Sequence, residues 1–67
     1  MRRFVPELHL PRGSADAVAV VLDTQSGHMI VEVDGNYMLD RESQEALAQL
    51  IADAMNSREF EPSYDDA

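Results

Sequence analysis

The stretch from Ala17 to Asn56 constrains this chain most, because its apolar pattern changes from a strand period to a helix period within a single small unit. Ala17–Asp23 (AVAVVLD) is rich in β-branched residues and reads as a strand. Thr24–Gly27 reads as a turn, with Gly27 free to take a positive φ. His28–Val33 is a second strand. Asp34-Gly35 is a hairpin signal, because a type I′ turn needs positive φ at both central positions. Asn36–Leu39 then reads as a third strand. Asp40 suits a helix N-cap and Glu42 suits the first-turn dipole. Leu47, Leu50, Ile51, Ala54 and Met55 recur at helical spacing, with Glu42, Glu45, Gln49, Asp53 and Asn56 on the opposite side. The expected class is α+β: a three-stranded antiparallel meander packed on one C-terminal amphipathic helix.

The flanks extend this 17–56 βββα unit. Residues 1–16 read as an N-terminal extension or edge strand; Pro6 and Pro11 lack amide donors and confine any strand there to a sheet edge. Residues 57–67 read as an acidic flexible tail, in which Phe60 and Tyr64 are the candidate docking anchors.

A register follows from the loop lengths. With a two-residue loop at Asp34-Gly35 and a four-residue loop before His28, one face collects Val18, Val20, Leu22, Met29, Val31, Val33 and Met38. That face is expected to receive the helix. The other collects Ala19, Val21, Ile30, Tyr37 and Leu39, with Asp23, His28 and Glu32. On this reading Val21, Ile30, Tyr37 and Leu39 form an apolar interface that needs a cover. A one-residue slip would reassign every one of them.

Size explains why a cover matters. A chain of 67 residues buries only roughly 60% of its unfolded surface, and small domains compensate with disulfides, metals or association. Cysteine is absent, and His9 and His28 are too few and too far apart for a zinc site. No metal or other cofactor is expected, so association remains.

Charge narrows the partners. The five cations are all arginine, against 13 Asp+Glu, for a net charge of −8. That balance opposes direct binding to nucleic acid or anionic membranes. No leader-like or membrane-spanning apolar run is present, so a cytoplasmic location is expected. Without a phosphate loop, nucleophile elbow or metal cluster, no enzymatic activity is expected. Carboxylates on a small rigid body imitate a phosphate ladder and pair with Arg and Lys. The candidate partner-binding acids are Glu42, Glu45 and Asp53 on the helix and Asp23 and Glu32 on the sheet, with Asp65 and Asp66 ending the tail. In size and charge alone the chain is similar to small acidic phage and mobile-element proteins, among them anti-CRISPR and anti-restriction proteins. The function expected is a protein-binding inhibitor or decoy that occupies a basic surface of nucleic-acid-handling machinery. The alternative is a homodimeric structural or adaptor protein that associates through the second sheet face.

Overall fold

The computed structural model describes residues 2–13, 16–33 and 39–64. They form β1 (Phe4–His9), β2 (Val18–Asp23), β3 (Met29–Val33) and α1 (Arg41–Ser57). The strands make one antiparallel sheet in the order β1-β2-β3, and α1 packs on it, an α+β fold. The class is the expected one, but the third strand is the N-terminal segment. Asp34-Gly35 and most of the expected strand over Asn36–Leu39 lie outside the described residues. Leu39 itself sits in a bend ahead of the helix.

β1 tolerates Pro6 because it is an edge strand among the described residues, so a missing donor breaks no inner ladder. Its outer backbone is satisfied at Phe4 by the helix. Asn56 accepts the Phe4 amide on Oδ1 at 2.9 Å and donates Nδ2 to the Phe4 carbonyl at 2.7 Å.

The Thr24–Gly27 loop closes as expected. The Asp23 amide donates to the His28 carbonyl at 2.9 Å, the Gly27 amide to the Asp23 carbonyl at 2.7 Å, and Gly27 takes φ +81°. The expected pairing of Leu22 with Met29 is present, but the next rung is Val21 with Val31, followed by Val20 with Glu32 and Ala19 with Val33. This irregularity inserts Ile30 as an extra residue on β3, as a β-bulge does. The slip corrects the assignment of faces. It moves Val31 and Val33 onto the side of Ala19 and Val21, and β1 adds Phe4 there. That side holds the buried Phe4, Ala19, Val21 and Val33, while Val20 is buried on the other. The core under α1 is therefore Phe4, Ala19, Val21, Val33, Ala48 and Ala52, with Ile30, Val31, Ile51 and Met55 packed against it.

α1 begins where expected. Asp40 has extended backbone and accepts the Ser43 amide at 2.8 Å. That hydrogen bond holds the Asp40 carboxyl below the usual range. The orientation of the helix differs from expectation. Gln44, Ala48 and Ala52 face the sheet, whereas Leu47 is 38% and Leu50 65% exposed. Small alanines let the helix approach a sheet already filled by Phe4 and Val21. The inward polar residues have defined partners: Gln44 Nε2 donates to the Leu39 carbonyl at 2.8 Å, and Asn56 clamps Phe4.

The helix ends in a Schellman motif. The Phe60 amide donates to the Met55 carbonyl at 3.1 Å and the Glu59 amide to the Asn56 carbonyl at 3.2 Å. Glu59 holds the left-handed position at φ 52°, where glycine is favoured. Glu59→Gly is expected to stabilise the fold by about 0.5–1 kcal/mol, read as an upward shift of the urea midpoint. A lower midpoint would mean that the Glu59 side chain contributes more than its strain costs.

Candidate functional site

Asp23 ends the apolar run of β2 and is fully buried, which is tolerable for a carboxylate only with saturating partners. Arg3 supplies a two-pronged ion pair, Nε to Oδ1 at 2.9 Å and Nη2 to Oδ2 at 3.2 Å. Tyr64 donates its hydroxyl to Oδ2 at 2.7 Å and Ser26 donates Oγ to Oδ2 at 2.9 Å. The Gln25 amide donates to Oδ1 at 3.0 Å. The Arg3 guanidinium, helped by these donors, holds the Asp23 carboxyl far below the usual range against the opposing effect of burial. Arg3 is correspondingly pushed up by Asp23 and Glu61, and burial pushes the Tyr64 hydroxyl up. A carboxylate so fully occupied and so firmly ionised is suited to hold elements together. It has no spare lone pair for proton transfer.

The same cluster captures the tail, which the sequence reading left flexible. Turned back by the Schellman motif, Phe60 lies against Phe4 with ring centroids 6.0 Å apart. Glu61 accepts from Arg3 Nη1 at 3.0 Å. Tyr64 reaches Asp23 and sets its ring edge-on to His28 at 4.5 Å. Phe60 and Tyr64, expected as anchors for docking on a partner, here pack against the chain's own sheet end. The returning tail separates two open grooves. One, of about 710 Å³, includes Arg2, Arg3, Gln25, Glu59 and Glu61. The other, of about 630 Å³, is lined by Met29, Ile30, Val31, Met55 and Pro62 together with Tyr64.

Two of the residues expected at binding surfaces are internal. Asp23 cannot meet a basic partner because Arg3 and its other donors enclose it. Val21 is core beneath the helix, since the bulge turned its face inward. Ile30 is half-buried against the core, Leu39 is exposed before the helix, and Tyr37, like Asp65 and Asp66, lies outside the described residues. Of the remaining acids, Glu42 and Glu45 are exposed on α1, and Glu32 is exposed on the sheet face away from it. Asp53 is shared by Arg2 and by Gln49 Nε2 at 2.9 Å.

The outer sheet face is built in rows: Val5, Leu22 and Met29 in one, then Glu7, Val20 and Glu32 in the next. Met29 is 50% exposed, and Glu7 and Glu32 are exposed on the two flanking strands. Arg3, Ser26, Asn56 and Glu61 were not identified from the sequence. One signal for Arg3 was present: an aspartate closing an apolar strand calls for a cation, and the chain has only five.

Among the described residues no cluster of His, Asp and Glu is arranged to hold a metal ion, and no helix is long and apolar enough to cross a membrane. Comparison with protein-family models, with curated proteins and with solved structures finds no match to this chain.

Proposed function

We propose that this chain is a small acidic protein-binding module that occupies a basic surface of a partner, as an inhibitor or decoy of nucleic-acid-handling machinery. The observation that carries the reading is where the charges go. Two of the five arginines are consumed internally, Arg2 by Asp53 and Arg3 by Asp23 and Glu61. Glu7 and Glu32 on the outer sheet face and Glu42 and Glu45 on the helix stay exposed. These exposed glutamates belong to a chain of net charge −8, which favours steered encounter with cationic surfaces.

The test is binding to purified nucleic-acid-binding proteins with basic surfaces across a salt series. Affinity is expected to fall steadily as ionic strength rises. Reversing Glu42 and Glu45 to lysine is expected to weaken binding about tenfold and to cost only about 1 kcal/mol of stability, because neither side chain supports the core and only Glu42 sits in the first turn of the helix. Affinity indifferent to salt, or unchanged by the reversals, would contradict the reading.

A further inference from the structure

The tail that returns from α1 is held as a bound peptide is held. The Phe60 amide closes the Schellman turn, and every hydrogen bond described for residues 61–64 is then made by a side chain. Three side chains are seated on the body. Phe60 lies against the Phe4 ring, Glu61 accepts from Arg3 Nη1, and Tyr64 meets Asp23, Ser26 and His28. Arg3 and Phe4 supply one half of the seat, and the loop between β2 and β3 supplies the other. No residue of the tail belongs to the buried core, so the tail can leave while sheet and helix stay folded.

The hinge of this tail is strained. Glu59 sits at φ 52°, in the left-handed region that non-glycine residues avoid. When Glu59 takes an ordinary right-handed or extended conformation, the strain is gone and the turn that returns the tail is undone. The empty seat then leaves the buried Asp23 without its Tyr64 donor, which favours refilling. The seat of a second copy presents the same Phe4, Arg3 and Asp23, so each contact is remade there. We infer that two copies of this chain exchange their tails, each laying Phe60, Glu61 and Tyr64 on the other's Phe4, Arg3 and Asp23. Closed monomers and exchanged pair share the same seat contacts. The pair gains two relaxed hinges and loses the freedom of two separate chains. A short tether keeps each tail near its own seat at an effective concentration on the order of millimolar, so exchange belongs to high chain concentration. This goes beyond the binding reading, and it differs from the dimer expected from the sequence, which used a sheet face.

The chain has no cysteine, so a nitroxide on Ser63→Cys, an exposed position, marks the tail alone. The nitroxide-bearing copy is mixed with isotope-labelled wild type, and the amide resonances of the wild type are recorded. At about 1 mM chain the amides of Arg3, Phe4, Gln25, Ser26 and His28 are expected to broaden, and at about 20 µM to stay sharp. Glu59→Gly in both copies is expected to weaken exchange about tenfold, because neither closed hinge is then strained. Circular dichroism should find that variant folded. Sharp resonances at about 1 mM would overturn the inference. So would broadening on the outer sheet face or along α1 in place of the seat, or exchange indifferent to Glu59→Gly. Capture of a basic partner is measured at micromolar chain, where each tail fills its own seat, so either proposal can fail without the other.

Discussion

Arg3→Leu is expected to leave much of the chain unfolded at neutral pH and to flatten the acid limb of its stability profile. The arginine is the counter-charge of a fully buried carboxylate, and removing one member of such a pair strands the other. The melting temperature is expected to fall by roughly 10 °C or more. The pH dependence identifies the cause. In the wild type Asp23 has a folded-state pKa below its unfolded value, so the folded state binds fewer protons. That contribution is complete above the ordinary aspartate range, near about pH 4, and is lost as pH falls toward the depressed folded value. Asp40, lowered by the Ser43 amide, acts in the same direction. Without Arg3, burial is opposed at Asp23 only by the hydrogen bonds of Tyr64, Ser26 and the Gln25 amide, so its folded-state pKa rises relative to the wild type. Stability of the variant is then expected to fall less steeply than that of the wild type between about pH 4 and about pH 2. Thermal melts across that interval decide it. A variant that tracks the wild-type profile would show that Arg3 is not what keeps Asp23 ionised. The double variant Arg3→Leu/Asp23→Leu should recover much of the loss, because an apolar pair leaves no charge stranded.

Phe4→Ala is the second large effect. Phe4 is buried under α1, carries Arg3 5.2 Å above its ring and receives Phe60 on its edge of the core. Truncating such a ring costs about 3–5 kcal/mol. A domain of this length has a total stability of only about 3–10 kcal/mol. The variant is expected to be largely unfolded at 37 °C, and its tail released even at lower temperature because Phe60 loses its seat. Urea unfolding followed by circular dichroism measures the first effect, and protease cleavage after Phe60 the second. A loss under about 1 kcal/mol would place Phe4 outside the core.

What could be read from the sequence was local. The strands at Val18–Asp23 and Met29–Val33, the loop that closes on Gly27 and the cap at Asp40 depend on near neighbours, and propensity and turn chemistry suffice for them. The rest depended on contacts between distant segments. A single inserted residue, Ile30, decided which face of β2 meets the helix, and no pattern of period two announces a bulge. The leucines of α1 suggested an inward stripe. The inward positions went instead to Ala48 and Ala52, which permit close approach, and to Gln44 and Asn56, whose amides serve backbone groups 5 and 52 residues away. The carboxylate cluster joins Arg3, Asp23 and Tyr64 from both ends of the chain, a juxtaposition that only tertiary folding creates.

The core and the placement of the helix acids rest on how α1 is turned on the sheet, with Ala48 inside and Leu50 outside. The chain has no cysteine, so single thiols introduced as Ala48→Cys and Leu50→Cys report that orientation directly. The label is a soluble maleimide. The thiol at position 50 is expected to react at the rate of an unstructured peptide, and the thiol at position 48 at least a hundredfold more slowly, about the protection that burial in a marginally stable fold provides. Equal rates, or faster reaction at position 48, would turn the helix around and overturn the core built on Ala48 and Ala52.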